Sequence, residues 1–210
     1  MVYHWNRRKN PGSNPRFESQ LYVGEKMTTI SFVIPTIGRP SLKRTLASIE
    51  TWPGDEILVI KHNPPSGNWG NTERQEGTDK AKCDYIAYID DDDVYVPGAR
   101  SIMDRAIRKK PDFPALFKIQ FPSGRILWRK KWVKNGNVST QMILVPNNKK
   151  MLYRWDQKHS WADFQFINRW KWHTKDINWR KEVIVFMGHN DEKYERKLTF
   201  PEARREGVLK

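Results

Sequence analysis

The sequence predicts an α/β domain, a mostly parallel central sheet flanked by helices, continued by a basic, tryptophan-rich half. Three observations predict it. Residues 29–110 alternate short β-branched apolar runs with stretches of helical spacing, in the order β-α-β-α-β-α. The runs are apolar almost throughout, as buried parallel strands are. Chemically suggestive residues (36–39, 61–63 and 90–93) follow these three runs, and such sheets hold ligands beyond the carboxyl ends of their strands.

Each element has its own reason. Residues 1–28 carry the turn-rich Asn10-Pro11-Gly12-Ser13-Asn14-Pro15 and no periodicity, so they read as a basic N-terminal extension. Residues 29–35 form the first strand, with Pro35 as its stop. Pro40 suits the first turn of a helix in which Leu42, Leu46 and Ile49 share a face. The second strand is 56–60; a Pro- and Gly-rich loop and a polar helix over 72–82 follow it. The third strand, 85–89, runs straight into Asp90-Asp91-Asp92-Asp93. Pro97 opens a helix with Ile102, Met103, Ala106 and Ile107 on one stripe, and Pro111 ends it. Farther on, 115–121 and 125–128 flank the hairpin turn Pro122-Ser123-Gly124; 140–145 is a strand, 160–172 a helix, and 183–186 a last strand. Residues 29–190 thus make one domain, with halves 29–113 and 114–190, and 191–210 make a charged tail.

With 210 residues, 38% hydrophobic and 12% aromatic, the chain is long and apolar enough to bury a core. One cysteine, Cys83, excludes an internal disulfide framework and a Cys-rich zinc site. No apolar stretch approaches the roughly 18 residues of a membrane span. The basic N-terminus has no apolar segment behind it, so a secretory signal is not expected. The expected setting is cytoplasmic. Of the +14 formal charge, +12 falls in residues 118–181, which also hold seven of the ten tryptophans. Such a stretch points to an anionic partner.

Four aspartates at the end of a buried strand repel one another unless solvent or a cation neutralises them. Clustered carboxylates are ligands for hard cations such as Mn²⁺ or Mg²⁺, which also take phosphate oxygens. Strand alternation would send Asp90 and Asp92 to one side and Asp91 and Asp93 to the other. A solvated acidic turn, with Asp93 capping the next helix, is the plainer alternative. A phosphatase would need Asp-x-Asp after the first strand, and a nucleotidyltransferase a glycine-rich loop there; Pro35-Thr36-Ile37-Gly38-Arg39 supplies neither.

The segment Ile30 to Arg39, the helix with Leu42 and Leu46, and the ordered set Gly70-Asn71, Arg74-Gln75, Gly77, Ala81, Asp84-Tyr85-Ile86, Asp90, Asp92-Asp93 and Pro97 resemble family 2 glycosyltransferases, whose fold is the Rossmann-like GT-A fold. The likeness covers 29–110 and continues loosely to about 190, and a phage or viral member would fit. It implies transfer of a sugar from a nucleotide-sugar donor, UDP-linked or otherwise. It places Pro35, Thr36 and Arg39 in the nucleotide pocket, Arg74 at the diphosphate, Asp90 near ribose and metal, and Asp92 on the metal. Asp91 and Lys61, at neighbouring strand ends, are counted with the donor pocket. Where many relatives end the second strand with an acidic pair, this chain has Lys61-His62-Asn63.

In that family a late carboxylate deprotonates the acceptor hydroxyl with inversion at the anomeric carbon. Ser160-Trp161-Ala162-Asp163-Phe164 stands where an acidic pair usually opens a helix, and Asp163 matches its second member. Ser160-x-x-Asp163 also reads as a capping box, which would satisfy helix amides instead. His189, after the last strand, is a candidate metal ligand, and His159 a lesser one. Cations beside flat rings at Lys130-Lys131-Trp132, Arg154-Trp155 and Arg169-Trp170-Lys171-Trp172 suit an anionic acceptor, with a hydroxylated DNA base of the kind some phages glycosylate preferred. A cell-surface or virion glycan is the alternative acceptor, and a non-catalytic nucleic-acid-binding protein on the same scaffold is the alternative function.

Overall fold

The computed structural model describes residues 27–155, 158–174 and 176–188. His189, the tail 191–210 and all but the last two residues of the predicted extension lie outside the described residues. Along the described chain run β1 (Ile30–Thr36), α1 (Leu42–Ser48), β2 (Glu56–Lys61), α2 (Asn71–Lys80), β3 (Tyr85–Tyr88), β4 (Val94–Tyr95) and α3 (Ala99–Lys109). Then come β5 (Ala115–Gln120), β6 (Ile126–Leu127), β7 (Ile143–Pro146), α4 (Ala162–Arg169) and β8 (Asn178–Phe186). The strands form one sheet in the order β2-β1-β3-β7-β5-β8-β4, with β6 paired to β5. It is parallel across β2-β1-β3, as the alternating pattern predicts, and mixed beyond β3. Among the described residues no helix is long and apolar enough to cross a membrane.

Pro35 does not stop β1; it pairs with Ile60 of β2. The reason is the ladder's geometry. The β1–β3 register ends at Val33, so the side on which Pro35 lacks an N–H is already unpaired. The predicted strand at 140–145 starts later, because Thr140–Met142 makes a single 3₁₀ turn before β7. β8 is longer than predicted and β4 is an added two-residue strand, the two pairing antiparallel. The predicted helix over 160–172 splits into α4 and a 3₁₀ turn, Trp170–Trp172.

Every residue of β1 and β3 is buried, and the core continues through β5, β7 and β8. Tryptophans of the basic half divide between two tasks. Trp128, Trp155 and Trp170 are buried and Trp179 packs against the core, whereas Trp132, Trp161 and Trp172 are exposed. Trp155 stacks on Phe166 at 4.4 Å between centroids, and Tyr88 meets both rings edge-on, which joins α4 to the sheet. At the amino ends of the strands, buried Arg100 of α3 grips buried Asp55 through Nε (2.7 Å) and Nη2 (3.0 Å), and Nη2 also donates to the Thr28 carbonyl at 2.7 Å. Asp55 in turn accepts the amides of Ile30 and Trp52, both at 2.8 Å. This pair fixes where β1 and β2 begin.

Candidate functional site

At the opposite, carboxyl end of β1 and β3 the chain leaves a cleft of about 350 Å³. Three stretches line it: residues 35–39 at the end of β1 and just beyond, 65–74 around the start of α2, and 90–92 after β3. Pro35, Thr36, Arg39, Arg74, Asp90, Asp91 and Asp92, named from the sequence, all lie on its wall.

The turn after β1 is shaped by Gly38, whose φ of +92° is open to glycine but strained for other residues. That turn lets the Thr36 hydroxyl accept from the Gly38 amide (2.8 Å) and donate to Asp91 Oδ2 (2.5 Å). Arg39 completes the bracket, donating to Asp91 Oδ1 at 2.6 Å and reaching Asp92 Oδ2 at 3.4 Å. Asp91 is therefore buried and fully engaged. On the other wall, Gly70 brings α2 against β1, since a Cβ there would stand 3.0 Å from Pro35 Cβ. Arg74, nearly buried, donates to the carbonyl of Trp69 (2.7 Å), to Asn71 Oδ1 (3.1 Å) and to Asp90.

The four aspartates do not alternate as strand residues. β3 ends at Tyr88, and the chain turns at Asp90–Asp93, so Asp91 and Asp92 share Arg39 while Asp90 and Asp93 share Gln141. Gln141 Nε2 donates to Asp90 Oδ2 at 2.7 Å and to Asp93 Oδ2 at 2.9 Å. Nor does Asp93 cap the next helix, whose N-cap is Gly98. Its carboxyl is buried, accepts the Gly188 amide at 2.7 Å, and is pushed up to about 8, by burial first and by Asp90 second.

Asp163, in the first turn of α4, is not among the residues that line the cleft. The predicted capping box does not form: Trp161, not Ser160, is the N-cap, and no side chain caps the helix. Asp163 Oδ1 accepts the adjacent Phe164 amide at 2.6 Å. Burial pushes its carboxyl up to about 6; that amide and Arg74 pull it down, and Asp90 pushes it up. Its charge is thus felt by Arg74 and Asp90, two lining residues that pair with each other. The helix N-terminus, which favours the anion, is outweighed by burial. Beside it in sequence, His159 stacks on Trp161 at 4.7 Å, and the His159 carbonyl accepts from Asn71 at 3.3 Å, tying α2 to the 114–190 half.

Lys61 is brought close but not in. Its exposed side chain runs against Gly38, where an added Cβ would meet its Nζ at 2.5 Å, outside the cleft lining. His189 lies outside the described residues. Three contributors escaped the sequence reading: Gln141, Glu73 and Trp69. Glu73 is buried at the lip of the cleft, accepts from Ser66 at 2.7 Å and has His62 Nδ1 at 3.6 Å; Glu76 holds the other ring nitrogen at 2.6 Å. Acidic groups do sit beside the end of β2, but they come from α2. Trp69 has a left-handed backbone (φ 58°) and an exposed ring on the cleft wall. No sequence signal marks Glu73, because only the fold shows that α2 buries Asn71, Glu73 and Arg74, polar residues a helix hides only with partners to receive them.

Asp90 and Asp92 both line the cleft and carry hard oxygen donors of the type that Mn²⁺ or Mg²⁺ takes, although Arg74 and Gln141 engage the one and Arg39 the other. Among the described residues no group of three or more His, Cys, Asp or Glu could hold an ion, so an ion on these two carboxylates would need its remaining ligands from phosphate and water oxygens.

No protein-family model and no curated protein matches this sequence. Solved structures do match. The crystal structure of S. aureus TarS 1–349 aligns with a TM-score of 0.61 at 13% identity, covering 80% of this chain and 63% of that one. Its complex with UDP-GlcNAc aligns with a TM-score of 0.64 at 11% identity (87% and 64% covered), and its complex with UDP with 0.57 at 11% (75% and 60%). The chain spans less than two thirds of the length of these structures. The shared feature is the fold, a GT-A-like α/β arrangement.

Proposed function

We propose that this chain is a glycosyltransferase that moves a sugar from a nucleotide-sugar donor to a hydroxyl of an anionic acceptor, with Mn²⁺ or Mg²⁺ held by Asp90 and Asp92. The observation that carries the reading is the convergence of two arginines and three aspartates on one cleft, two of which, Arg74 and Asp90, also interact electrostatically with the buried carboxyl of Asp163. The TarS structures with UDP-GlcNAc and UDP support a nucleotide-sugar donor for this fold.

The residues divide the work. Arg39 and Arg74 sit where a diphosphate would lie and neutralise it, and the exposed ring of Trp69 offers a face to the base. When bound, the ion adds positive charge beside the departing diphosphate. Asp163 takes the proton of the acceptor hydroxyl as its oxygen bonds to the anomeric carbon. The bond from that carbon to the diphosphate oxygen breaks on the opposite side, and its electron pair leaves with the nucleoside diphosphate. A single displacement of this kind inverts the configuration. A carboxyl at about 6 is ionised at neutral pH yet more basic than an exposed aspartate, as a general base should be. The net charge of +12 over residues 118–181 and the exposed Trp132, Trp161 and Trp172 favour a hydroxylated nucleic-acid base as acceptor.

Nucleoside diphosphate release from a panel of nucleotide sugars, with Mn²⁺ present, tests this. Release that disappears in Asp92→Ala supports the reading; absence of both release and nucleotide binding across the panel overturns it.

A further inference from the structure

The loop between β6 and the 3₁₀ turn Thr140–Met142 holds a feature that donor chemistry does not use. Arg129, Lys130, Lys131 and Lys134 are all exposed, and among them Trp132 is 56% exposed. The loop is nonetheless firmly built. Asn137 ties it across: its Oδ1 accepts the Arg129 amide at 2.9 Å, and its Nδ2 donates to the carbonyls of Lys130 (2.9 Å) and Trp132 (2.6 Å). Val133 and Val138 are buried beneath it, and buried Trp128 anchors its start by donating to the Leu116 carbonyl at 3.2 Å. The Lys134 ammonium lies 4.9 Å from the Trp132 ring centre. An exposed ring on a braced loop, surrounded by cations, is held out rather than left out.

The loop also adjoins the cleft. Ser139 donates to Gln141 Oε1 at 2.6 Å, and Gln141 donates to Asp90. From Asn137 to Gln141 is four residues, at most about 14 Å of chain. Trp132 is thus joined to Asp90 through Asn137 and Gln141. Acidic opposition is slight: Lys131 acts on exposed Asp176, which Lys110 already engages.

We propose that the 129–138 loop is a docking element for single-stranded nucleic acid, with Trp132 stacking on an unpaired base while Arg129, Lys130, Lys131 and Lys134 take the flanking phosphates. The base must be unpaired because a duplex hides its faces. A ring-free polyanion would leave the indole idle, and a neutral glycan would leave the cations idle. The inference rests on the nucleic-acid acceptor named above and deepens it.

The test is fluorescence anisotropy with a labelled oligo-dT of roughly 20 nucleotides, with the matching duplex and an acidic polysaccharide as competitors. Trp132→Ala should weaken oligo-dT binding by about 5- to 150-fold and Trp132→Phe should restore most of it. Lys130→Gln with Lys131→Gln should flatten the plot of log affinity against log salt by about 1.4. Donor hydrolysis should be unchanged in all of these. No binding by the unaltered chain, binding untouched by Trp132→Ala, or competition by duplex or polysaccharide as strong as by oligo-dT would each overturn the proposal. Loop-dependent binding with neither donor hydrolysis nor nucleotide binding would leave the docking element standing and remove the transferase reading.

Discussion

Asp163 shows how one side chain's surroundings set its chemistry. Its carboxyl is lifted from 3.8 to about 6, burial being the largest cause. In the proposed reaction the anion is the base, so kcat/KM should rise about tenfold per pH unit below 6 and level off above it. Asp163→Asn should abolish transfer while leaving nucleoside diphosphate affinity, read by calorimetry, within about threefold of the original. The same shift acts on folding. Between 3.8 and about 6 the folded chain keeps a proton that the unfolded chain releases, so this group's contribution to stability falls as pH rises through that window. Residues of this kind were legible where a short motif fixes them, as with Thr36, Arg39 and the aspartates. Gln141 was not, because it is a lone amide at the end of an irregular loop, and only the fold brings it to Asp90 and Asp93. The pairing of the aspartates was misjudged for a related reason: alternation ends where the strand does.

Among the elements, α2 is the most instructive. It carries Glu73 and Arg74 into the cleft, and Gly77 lets it settle on the sheet. A Cβ at Gly77 would come within 2.4 Å of Val33 Cγ1 and 3.3 Å of Ile60 Cγ1. Alanine is otherwise the better helix former, so overpacking and propensity oppose each other, and at 2.4 Å overpacking wins. Gly77→Ala should cost about 1–3 kcal/mol. Thermal unfolding should show roughly 2–4 °C lost per kcal/mol, and lifting the helix should also weaken nucleotide binding through Arg74. Helix and strand positions in the first half were legible because buried strands and apolar stripes announce themselves. β4 was not, since two residues carry no period, and its partner β8 lies some ninety residues away.

For the molecule as a whole, the two ends of the sheet have separate duties. Chemistry gathers at the carboxyl end, and Arg100 with Asp55 holds the amino end. Removing one member of a buried pair leaves the other charge stranded, so Asp55→Ala should cost about 3–5 kcal/mol. Chemical denaturation should show this as a lower midpoint, while kcat, measured where the variant remains folded, should stay near its original value. The division of charge between the halves was plain from the sequence. Which tryptophans face solvent was not, because core and surface indoles share the same basic neighbourhood and only packing sorts them.

The buried guanidinium–carboxylate clasp has an engineering corollary. With the strand starts locked at the far end of the sheet from the cleft, the exposed side chain of Trp69 can be exchanged with little thermodynamic risk, whereas Ser66 must stay because it donates to buried Glu73. A library randomised at Trp69 should retain mostly folded members, offering a route to altered sugar or nucleotide choice without rebuilding the scaffold.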